Sequence, residues 1–358
     1  MNKYPRLVIN LKKLQKNLET LAEKVHGANC SLAIVTKVFC ADKKIVDFLL
    51  KSDSVNYLAD SRIKNLKVYA GKGKETMLLR FPQLCEIKET VRYANISLNS
   101  EIKTIRLLNE EAGRQNKKHK IVFMIDLGDL REGIFFKNED FIFSIVEEVM
   151  NMSNIIFAGL GTNLTCYGAV IPRNENLSQL VCFAQRIEEK YKVKLEIVSG
   201  GNSSSYYLIG KGELPKGINN LRLGESFVLG NETAYSTHID GTYTDAVILE
   251  AQVIELQVKP SYPVGEVGVN AFGERVEFVD RGLQKRAILA IGRQDTDADN
   301  IVPIDDGIEI LGSSSDHLIV SVTNSKIDYT VGDVITFKMH YSAVLRSFTS
   351  KYVSRQWV

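Results

Sequence analysis

Lys37 closes the apolar run Leu32-Ala33-Ile34-Val35-Thr36, which reads as a buried parallel strand. A lysine there sits at the carboxyl end of a strand, where α/β proteins put their chemistry. Desolvation lowers an amine's pKa, and a lysine so placed can attack a carbonyl and form a Schiff base. A lysine that simply reaches solvent is the plainer alternative. Two further strand ends carry chemically capable residues. Asp126-Leu127-Gly128-Asp129-Leu130-Arg131-Glu132-Gly133 clusters charged side chains after one strand. Leu221-Arg222-Leu223-Gly224-Glu225-Ser226 ends another, where Gly224 permits close backbone approach. Arg222 either points at a ligand in the mouth or forms a structural pair with Glu225.

Ser199-Gly200-Gly201-Asn202-Ser203-Ser204-Ser205 lies between an apolar strand and the helical Tyr206-Tyr207-Leu208-Ile209. Two glycines let backbone N–H groups approach an anion, the serines add hydroxyls, and a helix N-terminus favours negative charge. A phosphate cup and an ordinary capped loop both fit this turn. Gly312-Ser313-Ser314-Ser315-Asp316-His317 holds an Asp-His pair suited to acid-base work or metal binding, although a lone histidine is more often structural. No HExxH or comparable metal pattern accompanies it.

These residues need a scaffold, and the periodicity supplies one. Apolar strand candidates lie near 30–36, 55–59, 76–81, 95–98, 120–126, 154–160, 194–199 and 218–223. Helical stretches separate them, among them Asp42–Leu50, Glu101–Gln115, Glu139–Met150 and Leu177–Tyr191. Eight strand-helix units predict an α/β fold with an N-terminal (β/α)8 TIM-like barrel, while alternation alone also suits an open doubly wound sheet. Beyond about Gly230 short alternating strands and turn clusters predict an all-β C-terminal domain. The expected domains are 1–232 and 233–358, with the strand at 6–10 free to associate with the second.

The 358 residues are 44% hydrophobic and 25% charged with net charge +2, an ordinary globular composition. So even a balance offers no electrostatic case for nucleic acid or an anionic membrane. No apolar run reaches bilayer-spanning length, and Met1-Asn2-Lys3-Tyr4-Pro5-Arg6 carries no secretory apolar region. The five scattered cysteines (Cys30, Cys40, Cys85, Cys166, Cys182) predict a reduced, cytoplasmic protein without a cysteine-rich zinc site.

In this order and spacing, the motifs resemble the fold-type III pyridoxal-phosphate enzymes of the alanine racemase family, in particular the ornithine racemase branch. The resemblance spans nearly the whole chain. It rests on Val35–Cys40, Ile125–Gly128 with Arg131 and Gly133, Gly201-Asn202-Ser203, and Arg222–Glu225. The second half adds Asn270-Ala271-Phe272-Gly273-Glu274, Arg286–Asp295 and Ser350-Lys351-Tyr352-Val353. It implies that Lys37 holds pyridoxal 5'-phosphate as a Schiff base and then serves as one base. It also implies that Arg131 bonds the cofactor's phenolic oxygen and that Asn163 lies beside the ring, where alanine racemases have histidine. Asn202, Ser203, Gly224 with Glu225, and Tyr352 would form the phosphate cup, and Arg222 would face the pyridine nitrogen. Because arginine does not give up its proton, that nitrogen would stay unprotonated and the carbanion short-lived, which suits racemisation. A head-to-tail homodimer, whose β domain completes the partner's site, is implied likewise.

Departures from the family narrow the reading. Phe272 stands where alanine racemases carry a tyrosine base, and a phenyl ring carries no proton. The second base is therefore expected among Asp316, His317, Cys166 and Tyr167. Met124 replaces a lysine that can be carbamylated, and Ala41 replaces the usual tyrosine. These changes argue against alanine as the substrate and for a divergent pocket. The resemblance implies ornithine or another basic amino acid, with Asp295 and Asp316 as partners for its cationic side chain. A metal- and cofactor-dependent relative of D-threonine aldolase or D-serine dehydratase is one alternative. A non-enzymatic pyridoxal-phosphate-binding protein is another.

Overall fold

The computed structural model describes residues 3–270 and 272–358. Met1, Asn2 and Ala271, the last within the Asn270–Glu274 motif, lie outside the described residues.

Contacts group the chain into two units. One is Lys12–Thr244, and the other joins the N-terminal segment ending at Leu11 to Asp245–Val358. The barrel unit therefore runs past the expected 232/233 division. Local bonds explain this: the Asn17 side chain bonds the Tyr243 backbone, and Thr242 Oγ1 donates to Gly230 O.

The N-terminal strand β1 (Arg6–Ile9) belongs to the second unit. The barrel strands are β2 (Ser31–Val35), β3 (Tyr57–Asp60), β4 (Glu75–Leu78), β5 (Ile96–Asn99) and β6 (His119–Asp126). A two-residue strand, β7 (Ile134–Phe135), pairs with the end of β6. Then follow β8 (Ile155–Gly161), β9 (Ile197–Ser199) and β10 (Asn220–Leu223). The parallel order runs β5-β4-β3-β2-β10-β9-β8-β6, and pairing of β5 with β6 closes the ring. This is the eight-stranded barrel that the alternation predicted, and its closure excludes the open sheet. Ala33, Val35, Ala59, Met77, Ile96, Leu98, Val122, Met124 and Ile197 fill the interior in one buried cluster. Branched and unbranched apolar side chains stack there, as period-two alternation on parallel strands requires. Helices surround the strands, among them Leu11–Gly27, Lys43–Leu50, Ile102–Arg114, Glu139–Met150 and Asn174–Tyr191. On the first, Leu14, Leu18, Leu21 and Val25 make the buried stripe.

The other unit is an antiparallel sheet built on the long strand β11 (Val247–Pro260). Added to it are β12 (Leu283–Leu289), β13 (Ile301–Pro303), β14 (Glu309–Ser313), β15 (Leu318–Ser321), β16 (Val334–Met339) and β17 (Ser354–Trp357). β1 pairs antiparallel with β11 and parallel with β17. One element departs from the all-β expectation. Tyr341–Thr349 is a helix, with Ala343, Val344, Ser347 and Phe348 buried at helical spacing. Among the described residues no helix is long and apolar enough to cross a membrane.

Candidate active site

Lys37 sits on the 3-10 turn Thr36–Phe39 that directly follows β2. The turn is anchored from below. Thr36 Oγ1 donates to Asp60 Oδ2 at 2.6 Å, at the end of β3, and lies 2.9 Å from the Tyr69 hydroxyl. Asp60 also accepts from Arg62 N at 2.8 Å and from the Asn65 amide. Burial raises the Asp60 pKa, against these bonds and the nearby charge of Lys37. Asp60, Thr36 and Tyr69 thus form a buried polar cluster that fixes the backbone leading into Lys37. Sequence reasoning missed it, because no periodicity marks a contact between two strand ends.

After β6, Asp126 accepts from the backbone N–H groups of Gly128 and Leu130. Buried Asp129 accepts from the N–H groups of Tyr167 at 2.9 Å, Val170 at 3.0 Å and Cys166 at 3.2 Å. It thereby ties the loop after β8 to the loop after β6. Arg131 pairs with Glu132 through two guanidinium N–H groups. Asn163 Nδ2 donates to Glu132 as well.

Arg222, at the end of β10, is only 2% exposed. One terminal nitrogen donates to Thr162 O at 2.8 Å and to Asn163 Oδ1 at 2.6 Å, and the other donates to Ser199 Oγ. These bonds do not include Glu225, so the structural Arg222–Glu225 pair is not formed. Desolvation lowers its pKa to about 10, so it remains a cation near neutrality.

The Gly200–Ser205 turn follows β9. Gly201 adopts φ +110°, a conformation open in practice to glycine. Asn202 caps the following turn through Oδ1, which accepts from Ser204 N at 2.8 Å, while its Nδ2 donates to Leu164 O at 3.0 Å and contacts Cys166 Sγ at 3.5 Å. Ser203 Oγ accepts from Ser226 N at 3.3 Å, which joins this turn to the helix Glu225–Leu229 after β10. A Cβ on Gly224 would come within 3.1 Å of Val35 and Val38, so the glycine lets this backbone pack against the Lys37 turn. Glu225, half-buried, has its carboxyl pushed up to about 7 by desolvation, with Lys37 opposing and Glu232 adding to the shift.

Two buried hydroxyls at this mouth, Thr162 Oγ1 and Ser226 Oγ, lack a hydrogen-bond partner. Such groups are completed by water or by a bound ligand. Ser226 adjoins the Ser203 turn, and Thr162 adjoins Arg222. Hydroxyls and backbone N–H groups at a helix start, a strand-end amine and a buried guanidinium together fit a phosphorylated carbonyl compound. Among the described residues no group of three or more His, Cys, Asp or Glu could hold a metal ion.

Lys37, Arg131, Asn163, Cys166, Asn202, Ser203, Arg222, Gly224 and Glu225 thus lie at the carboxyl ends of the barrel strands or in the loops that follow. Tyr167 is there too, 77% exposed. Asp295, Asp316, His317 and Tyr352 belong to the sheet unit. Asp295 is buried and accepts from Gly292 N and from Ser350 Oγ at 2.9 Å. Asp316 is exposed and accepts from His317 Nδ1 at 2.9 Å, a bond that lowers its pKa. Tyr352 is exposed. Phe272 stacks under Arg293 at 4.2 Å.

Known proteins give this geometry a context. The sequence model of the family "Alanine racemase, N-terminal domain" matches residues 9–231. An ornithine racemase of Acetoanaerobium sticklandii is 51% identical over 353 residues, covering 99% of each chain. A lysine racemase of Thermotoga maritima is 38% identical over 354 residues, covering 98% of each. In fold, the chain is similar to an alanine racemase from Bartonella henselae with covalently bound pyridoxal phosphate, at TM-score 0.73, 19% identity and 99% coverage of each chain.

Proposed function

The chain belongs to the alanine racemase family, and from that premise we propose that it is a pyridoxal-phosphate-dependent racemase of ornithine or another basic amino acid. The reading is carried chiefly by the meeting of Lys37, Arg222, Asn163, Arg131 and the Gly200–Ser205 turn at one barrel mouth. When bound, pyridoxal phosphate supplies an electron-withdrawing ring conjugated to the substrate nitrogen, which acidifies the α-proton. The Lys37 amine takes or returns that proton on one face. Arg222 keeps its own proton and offers the ring nitrogen a hydrogen bond only. Arg131 and Asn163 orient the ring. Asn202, Ser203, the backbone at Gly224 and Glu225, and Tyr352 hold the phosphate.

A base on the opposite face is needed for interconversion. Cys166 leads Tyr167, Asp316 and His317 for that role, because its sulfur contacts Asn202 on the proposed phosphate turn. Asp316 leads Asp295 for the substrate's cationic end, because its carboxylate is exposed whereas that of Asp295 is buried. A head-to-tail homodimer in the cytoplasm, with a small amino acid rather than nucleic acid or membrane as partner, extends the same reading. Sedimentation of the purified protein tests the dimer.

The deciding experiment records the visible spectrum of the purified protein and then adds L-ornithine in deuterated water. A bound-cofactor band with α-deuterium in both enantiomers is expected. A band without exchange would reject ornithine, and no band after adding cofactor would reject the role of Lys37. Loss of activity on chelation would favour the metal-dependent aldolase alternative.

A further inference from the structure

Arg222 is a buried cation whose hydrogen bonds all go to neutral groups: a carbonyl, an amide oxygen and a hydroxyl. A buried guanidinium ordinarily needs negative charge nearby. The carboxylate that bears on it most is Glu132, with Arg131 opposing. Glu132 does not touch Arg222. It touches Asn163, which touches Arg222. The amide of Asn163 is thus held at both ends, its Nδ2 donating to the carboxylate and its Oδ1 accepting from the guanidinium. A carboxylate only accepts and a guanidinium only donates, so both bonds select the same orientation of the amide. Together they fix which end faces Arg222. Glu132 also holds Arg131 by two N–H groups, so one carboxylate serves both arginines.

We propose that Glu132 is a positioning residue that acts through Asn163 to hold Arg222 and through its ion pair to hold Arg131. This rests on the assignment of the barrel mouth as the cofactor site. Without the carboxylate, Arg131 and Arg222 oppose one another with less compensation, since Asp129 is taken up by backbone N–H groups and the carboxylates that bear on Lys37 are Asp60 and Glu225.

The test uses the holoenzyme and Glu132→Gln, which keeps shape and an acceptor but removes the charge. The visible absorbance of the bound cofactor is followed against pH. Uncompensated positive charge disfavours a protonated nitrogen, so the titration of that band is expected to move down by about one pH unit. The kcat is expected to fall about tenfold with KM changing much less. Asn163→Ala should produce a shift of its own, and Glu132→Gln added to it should produce a smaller shift than in wild type, the part that passes through Arg131. An unchanged titration in Glu132→Gln with an intact melting temperature would overturn the proposal, and so would fully additive effects in the double variant. Failure of the cofactor assignment itself reads differently: the wild-type protein would then show no band.

Discussion

The hydroxyl of Thr36 donates to the buried carboxylate of Asp60 at 2.6 Å, one residue before Lys37. The Tyr69 hydroxyl lies 2.9 Å from the same oxygen. Thr36→Val keeps the shape but leaves a buried carboxylate and a buried phenol without that partner. It is expected to lower unfolding free energy by about 1–3 kcal/mol in urea titrations. Thr36→Ser should recover most of that loss. Equal stability of the valine and wild-type proteins would show that the cluster does not fix the turn.

Lys37→Ala is expected to abolish covalent cofactor retention and to lower racemisation by roughly a thousandfold or more. Absorbance after gel filtration and a coupled chiral assay measure the two effects. Full racemisation in this variant would end the proposed mechanism.

Cys166→Ala separates the two faces of the reaction. It is expected to keep α-proton exchange from one enantiomer while interconversion falls about 10²–10⁴-fold. Tyr167→Phe, Asp316→Asn and His317→Gln run beside it, because that pattern in one of them would move the second base there. Chiral chromatography combined with deuterium content from mass spectrometry tells the patterns apart.

Gly224→Ala pushes a methyl group against Val35 and Val38 at 3.1 Å. Either the Lys37 turn or the start of the helix Glu225–Leu229 must shift. Cofactor affinity, titrated into apo-protein by fluorescence, should weaken about tenfold, with a smaller loss of stability. Unchanged affinity would mean that this close approach is not needed for the phosphate cup.

His119 starts β6 and is buried, with Nε2 2.7 Å from Ser97 Oγ. Burial first, and Lys117 second, lower its pKa from 6.5 to about 4. The unfolded chain therefore binds a proton between pH 6.5 and 4 that the folded chain refuses. Stability from this group is complete above pH 6.5 and falls as pH drops toward 4, by about 3 kcal/mol in all. Melting curves at pH 7.5 and 4.5 should show a smaller acid loss in His119→Gln than in wild type.

The elements were legible because their signals are local. Apolar runs such as Leu32–Val35 and Ile121–Ile125 mark strands buried on both faces, and Leu14, Leu18, Leu21 and Val25 mark one helical stripe. The helix Tyr341–Thr349 escaped notice because it is short and sits among strand patterns. The strand-end motifs at Lys37, Arg131, Gly201 and Arg222 could be read because glycines and charges stand out after apolar runs.

By itself, then, the sequence determined the alternation of strands and helices, the residues at the strand ends and the family to which the chain belongs. Tertiary structure alone decided which of those residues meet. Arg222 and Asn163 lie 59 positions apart, and Thr36 and Asp60 lie 24 apart. Their bonds exist because β2 pairs with β3 and because β9 lies between β8 and β10, which brings these strand ends together. Periodicity follows from backbone geometry and burial over a few residues, whereas the partner of a buried charge is set by the closed barrel.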